Sequence, residues 1–227
     1  MKIDGLPNNT KKRARFVVAC LLIFILSSVT AMLLYPGGTW WEPARRGHSF
    51  WDNFLCDLLH NPALNHQSNP VGSRLAAGAM LTYFAGLSVF WSMTGVWLCC
   101  RLRLAGLVAR LGVVGTPLLA AVPLLPSHQY PKLHTVAVVV GSLPALLALI
   151  LFAGGYLSEP HSRALPRCLT VGLALLVVLC LGLYAQNAVW GGPSLRVVPR
   201  LERLTSMGAL LWMFTLLRQI LGPRAIP

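Results

Sequence analysis

The sequence predicts an all-α, polytopic membrane protein with six transmembrane helices. Three observations carry that expectation. Only 11% of the residues are charged, 56% are apolar, and mean hydropathy is +0.65, whereas soluble domains carry roughly 25% charged residues. The charges are bunched, so uncharged runs of membrane-spanning length remain between them. One stretch, Tyr35 to Pro70, breaks the pattern. It concentrates Glu42, Asp52, Asp57, His48, His60, His66, Trp40, Trp41 and Trp51.

The elements follow in order. Residues 1–15 are polar and end in Lys11, Lys12, Arg13 and Arg15, a basic cytoplasmic N-terminus. The run Phe16–Tyr35 reads as an uncleaved signal anchor. A signal peptide cleaved near Val29-Thr30-Ala31 is the competing reading, but the run stays apolar past Ala31 and is about 20 residues long, enough to cross roughly 30 Å. The second span is expected at Leu75–Cys100, with Gly78, Ala79, Gly86 and Ser92 as small residues permitting close helix approach. Arg101, Arg103 and Arg110 follow it. The third span, Leu107–Leu125, contains Pro117 and Pro123, and the fourth, Leu133–Tyr156, contains Pro144. Proline inside a membrane helix kinks it, and neighbours can satisfy the freed carbonyls. The fifth span, Cys168–Gln186, is uncharged, and the sixth covers Leu204–Leu221.

A net charge of +13 suggests nucleic acid in a soluble protein. Here it reads as basic loops facing anionic lipid, and no basic patch interleaves with a soluble fold. Membrane lipids are the expected partners, with no nucleic acid. Six spans place both termini on one side. Lys11–Arg15, Arg101, Arg103, Arg110, Arg163, Arg167, Arg218 and Arg224 put that side in the cytoplasm of a cell membrane. Arg196, Arg200 and Arg203 in the outer 5–6 loop weigh against this, outvoted by four basic segments. The chain is then a basic tail (1–15), one membrane domain (16–221) with an outer-loop lid at 35–70, and a cytoplasmic C-terminus (222–227). No internal repeat suggests an inverted-repeat transporter. The six cysteines show no metal or disulfide spacing, and Cys99-Cys100 is a weak acylation motif. Arg outnumbers Lys fifteen to four, which suits a GC-rich bacterial genome.

The outer stretch carries the candidate site. Pro36-Gly37-Gly38 stops the first helix, and Trp40 and Trp41 suit an interface belt. Ser49 with Asp52 three residues on is a capping box, predicting a short interfacial or re-entrant helix from Phe50 to near Asn61-Pro62. On such a helix Asn53, Asp57 and His60 share one face, with Cys56 beside them. A polar stripe of this kind turns into the bundle rather than toward lipid. Ser127, His128 and His134 at the outer ends of spans three and four, with Glu202 and Arg203 at the start of span six, lie at the same depth. An outward-facing polar pocket is therefore expected from Ser49, Asn53, Asp57, His60, His128, His134, Glu202 and Arg203. No resident cofactor is implied. Zinc held by Asp57, His128 and His134 is the alternative, and it would serve a membrane-embedded lipid hydrolase. A transporter ranks third, because no span carries a mid-membrane charge.

Tyr35-Pro36-Gly37-Gly38, Ser49, Asn53, Cys56-Asp57-Leu58 and Asn61-Pro62 form a pattern similar to the outer loop of an uncharacterised six-helix family, domain of unknown function 998. The pattern also resembles the Frag1/DRAM/Sfk1 membrane proteins. His134 and Glu202-Arg203 match the positions such families place before spans four and six. Cys56 stands where Ser is usual and Leu59 where Gly is usual. The resemblance spans residues 16–221. It implies a six-span fold and importance for Asp57, His134 and Glu202, and no established reaction.

Overall fold

A computed structural model describes residues 8–99, 101–159, 162–190 and 196–222. Cys100, Arg224, residues 1–7 and the middle of the last interhelical loop lie outside the described residues. Six long helices follow one another: α1 (Asn8–Leu34), α2 (Pro70–Trp91), α3 (Leu102–Ala120), α4 (Pro131–Leu157), α5 (Ala164–Trp190) and α6 (Val197–Leu221). Each packs on its neighbour in sequence, and α1 also packs on α6, closing the bundle. Among the described residues there is no strand, only an isolated bridge between Gly37 and Arg46.

Five helical segments are long and apolar enough to cross a membrane: Asn8–Leu34, Leu102–Leu124, Pro131–Leu157, Ala164–Asn187 and Val197–Leu221. They keep large apolar side chains exposed, Leu26, Leu33, Leu143 and Leu175 among them, as hydrocarbon contact requires. α2 falls outside this set. It has 22 residues, and Arg74 lies near its N-terminus. The expected second span of Leu75–Cys100 is cut short because the chain turns after Trp91 into a 3-10 turn at Thr94–Val96. Thr94 is fully buried there, its hydroxyl donating to Ala105 O at 3.1 Å. Trp97 and Leu98 turn into the core instead of continuing toward water.

That core is aromatic. Phe90 lies 5.2 Å from Trp97 and 5.1 Å from Trp212, and Phe152 stacks on Tyr156 at 5.4 Å. Trp212 Nε1 donates to Thr170 Oγ1 at 2.8 Å. A second apolar cluster joins Phe24, Ala31 and Tyr35 to Ala76, Ala79, Leu58 and Leu59. It seats residues 35–69 on the ends of α1 and α2 as a cap.

Helix boundaries moved where tertiary contacts outweighed charge. α1 begins at Asn8, so the basic cluster Lys11–Arg15 lies inside it, and Arg13 bonds Ser92 Oγ. α6 begins at Val197 rather than Leu204, which puts Arg200, Glu202 and Arg203 on its first turns. Pro117 and Pro144 sit within α3 and α4, whereas Pro123 falls in a separate 3-10 turn, Val122–Leu124. The end opposite the cap is not exclusively basic, since Glu159 is buried there.

Small residues set the helix spacing, though not all of those expected. A Cβ on Gly86 would meet Cys20 Cβ at 2.7 Å, while Gly78 faces open space. Between α3 and α4, a Cβ on Gly141 would stand 2.9 Å from Leu119 N and 3.0 Å from Leu118 C. Backbone cannot yield as a flexible side chain can, and overpacking costs about 1–3 kcal/mol. Gly141→Ala should therefore lower the unfolding temperature in mild detergent and Gly78→Ala should not. Equal melting curves for the two variants would contradict the α3–α4 approach.

Candidate functional site

The cap is built from turns. Gly37 and Gly38 hold φ of 140° and 89°, conformations open chiefly to glycine. Added Cβ atoms there would strike Arg45 O at 2.2 Å and Asn65 N at 2.4 Å. Gly38 N donates to Arg45 O and Gly47 N to Pro36 O, at 2.8 and 3.0 Å. Thr39 Oγ1 receives the N–H of Glu42 at 2.9 Å.

The expected helix from Phe50 to Asn61 is absent. Residues 50–53 form turns, and only Leu55–Leu59 winds into a 3-10 helix. Ser49 does bond Asp52, Oγ to Oδ2 at 3.0 Å, but no α-helix follows. The reason is competition for the same backbone groups. Asn53 Oδ1 takes the Ser49 N–H at 2.8 Å and Asp57 Oδ2 takes the Phe54 N–H at 2.8 Å. Asn and Asp side chains offer the backbone alternatives to helical bonding.

The polar stripe nevertheless turns inward, split in two. Asn53, fully buried, donates through Nδ2 to Asp57 Oδ2 at 3.1 Å and to Gly38 O at 2.8 Å. Asp57 receives a third donor, Trp40 Nε1, at 3.0 Å from Oδ1. Trp40, expected as an interface anchor, is thus a partner of the buried carboxylate. His60 leaves this group and meets Ser127 Oγ at 2.7 Å through Nε2, its ring 4.9 Å from that of His128.

α6 braces the cap from the side. Arg203 is 3% exposed yet makes no ion pair within 4 Å among the described residues. Its Nε donates to Phe50 O at 3.0 Å, and Nη2 to Asn53 O and His48 Nε2, each at 3.2 Å. The guanidinium also lies 5.3 Å from the Phe50 ring centroid. Glu202 Oε2 accepts the Leu55 N–H at 3.0 Å. A surface pair, Arg200 to Asp52 at 3.0 Å, adds a further tie. Asn69, which the sequence reading passed over, donates from Nδ2 to His60 O at 3.0 Å and Leu58 O at 3.3 Å. Tyr35 Oη takes the Leu64 N–H at 3.1 Å.

Beneath the cap lies a cavity of about 440 Å³. Trp40, Phe54, Cys56, Asp57 and Ser127 form its roof. α4 contributes Pro131, His134, Thr135, Val138 and Ser142; α5 contributes Val177, Cys180, Leu181, Tyr184 and Asn187; α6 contributes Val198, Glu202 and Thr205. A smaller cavity of about 190 Å³ toward α1 and α2 shares Cys56, Val138 and Glu202 with it. His134 turns Nδ1 to Leu125 O at 2.7 Å, which makes Nε2 the acceptor of the neutral ring.

Of the expected residues, Asp57, Ser127, His134 and Glu202 line the cavity, while Ser49, Asn53 and Arg203 stand behind its roof. His60 stands behind Ser127, and the His128 ring lies tilted against that of His60. The zinc set of Asp57, His128 and His134 is not assembled. Among the described residues no three His, Cys, Asp or Glu side chains gather closely enough to hold a metal ion. Asp57 Oδ1 receives Trp40 and Oδ2 receives Asn53 and Phe54, and His134 Nδ1 is bonded to a carbonyl. Comparison with protein families, with curated proteins and with solved structures finds no match for this chain.

Burial governs the titration of the cap. It pushes Asp57 up to about 6, against the N–H donors of Asn53, Trp40 and Phe54. It lowers His48 to about 3, aided by Arg203 and Arg45, and His60 to about 4, aided by His128 and His134. Burial also raises the Cys56 thiol well above its ordinary value, so it is no thiolate nucleophile at neutral pH. The exposed Asp52 carboxyl is lowered by its bond to Arg200.

A carboxyl raised to about 6 favours the folded cap at low pH and loses that contribution as pH rises past about 4 to 6. Two imidazoles held neutral act oppositely, because the unfolded chain binds their protons below about 6.5. The two imidazoles therefore give the cap an acid loss between neutral and about pH 4.5 that Asp57 opposes, read by tryptophan fluorescence. Asp57→Asn should steepen that acid loss, since it removes the opposing contribution; a flatter profile would contradict the assignment. Arg203→Met should cost roughly 2–5 kcal/mol by stripping partners from buried carbonyls. Arg200→Ala, which breaks an exposed pair, should cost about 0–1 kcal/mol. Thermal unfolding of the two variants measures the contrast.

Proposed function

We propose that the protein is a six-span integral membrane protein of the cell membrane that binds a lipid or similar amphiphile in the cavity beneath its cap. The observation carrying this reading is the cavity itself. At about 440 Å³ it falls in the range of small-molecule sites, and it is apolar over most of its wall with a few polar groups. On this reading α2 is the sixth span, because its 22 residues reach about 33 Å. The basic residues of the end opposite the cap support cytoplasmic termini and an outward-facing cap. The similarity of residues 35–62 to the family of domain of unknown function 998 supports the same architecture.

Lipid analysis of the purified protein tests the reading. An amphiphile should co-purify in stoichiometric amount, and Val138→Trp, which places bulk where both cavities meet, should reduce it at least tenfold. Retention at wild-type level in Val138→Trp would overturn the reading. Cysteine-accessibility labelling at residue 45 and at residue 163 tests the orientation, with only the first reacting from outside.

One observation favours a second reading, a lipid hydrolase that works without metal. Ser127 Oγ lies 2.7 Å from His60 Nε2 at the cavity roof, the spacing of a nucleophile and its base. Burial lowers the basicity of His60, which weighs against it. A fluorophosphonate probe should label Ser127 if this reading holds and leave the protein unlabelled if it does not.

A further inference from the structure

The cavity wall is not uniform along its length. On α4 it follows Pro131, His134, Thr135, Val138 and Ser142, a single face that descends about 16 Å from the cap. Asp57 and Glu202 both lie toward the cap end, because Asp57 belongs to the cap and Glu202 to the first turns of α6. Val138, Val177 and Leu181 lie deeper. The cavity thus has an acidic, aromatic upper part and a mostly aliphatic lower part, in which Ser142 and Thr205 are the polar side chains.

The charge at the upper part is unbalanced. Glu202 Oε2 holds the Leu55 N–H, and Oε1 accepts from no described residue. Asp57 is bonded only by neutral donors. Among the described residues neither carboxylate has a cationic partner within 4 Å. Arg203 is the buried cation of this region, and its donors go to two backbone carbonyls and His48. Two carboxylates against one guanidinium leave a formal charge of −1 in an apolar wall, although the chain as a whole carries +13. A buried charge of this kind is costly unless paired. The neighbouring wall supplies the aromatic faces of Trp40, Phe54 and Tyr184, which suit an organic cation. His134 adds a neutral acceptor, Nε2.

We propose that the cavity takes an amphiphile with an ammonium headgroup, its nitrogen paired with Glu202 and Asp57 and its single alkyl chain laid along Val138, Val177 and Leu181. The proposal rests on the amphiphile-binding reading above and names the ligand class for that site. An anionic headgroup is disfavoured at the same place by both carboxylates. The ammonium can belong to a single-chain lysophospholipid or to a free long-chain amine.

Binding of defined probes to the full chain in digitonin micelles, followed by intrinsic fluorescence and native mass spectrometry, tests this. Dodecylamine and dodecyltrimethylammonium should bind at least tenfold more tightly than dodecanol, and dodecyl sulfate more weakly still. Glu202→Gln should erase that preference while dodecanol binding persists, and Asp57→Asn should reduce it. If dodecanol or dodecyl sulfate binds as well as the ammonium probes, the headgroup assignment is overturned and the amphiphile reading stands. If none of the probes binds, both are overturned. An unchanged preference in both variants overturns the role of the two carboxylates. Should either variant fail to fold, the ranking of the four probes on the wild-type protein still decides. Lysophosphatidylethanolamine separates the sources: tighter binding than dodecylamine supports a phospholipid headgroup, weaker binding a free amine.

Discussion

The cap end depends on one constraint: the backbone of residues 49–57 must find partners outside itself. Five residues of 3-10 helix satisfy few of their own N–H and C=O groups. Water does not replace the missing bonds where Asn53, Asp57 and Leu58 are almost fully buried. Side chains supply them instead. Arg203 serves the Phe50 and Asn53 carbonyls, Glu202 the Leu55 N–H, Asp57 the Phe54 N–H, and Asn69 the Leu58 and His60 carbonyls. The polar residues of this region are therefore first a scaffold. That scaffold ties a loop of low intrinsic structure to α6 and to the N-terminus of α2.

The same bonds shape the cavity. Each carboxylate holds a backbone N–H on one oxygen, which fixes its place in the wall. The Arg203 guanidinium, committed to carbonyls and to the Phe50 face, does not neutralise either acid by contact. A pocket whose acids are anchored but unpaired follows from the way the cap is fastened. Under the proposed reading, structural and binding roles are not alternatives for Asp57 and Glu202, because one geometry would serve both.

Close helix packing makes this arrangement rigid. Gly112 lets α3 approach the Trp91 ring, where a Cβ would stand 2.2 Å from Cγ. Gly141 and Gly115 bring α3 and α4 together below the cavity, and the aromatic group around Phe90, Phe152 and Trp212 fills the opposite half of the bundle. The two cavities lie toward the cap end, where polar side chains and turns replace interlocking apolar ones. The helix ends there are set less by composition than by what the cap offers them. α6 starts early because its first turns are covered by residues 48–55.

The sequence by itself determined the apolar helices and the chemical oddity of Tyr35–Pro70. These follow from composition and short-range spacing, and membrane-length runs are coarse enough to read locally. Tertiary structure alone decided the finer matters. It set the 3-10 form of Leu55–Leu59, because side-chain acceptors outcompeted helical ones. It ended α2 at Trp91, because Trp97 and Leu98 gain more from the core than from extending the helix. It sent His60 to Ser127 and dispersed the zinc set, and it recruited Trp40 and Asn69, whose partners lie 17 and 9 to 11 residues away. It also built the cavity from three helices and two loops. No local spacing encodes that volume, because its walls meet only after the whole chain has folded.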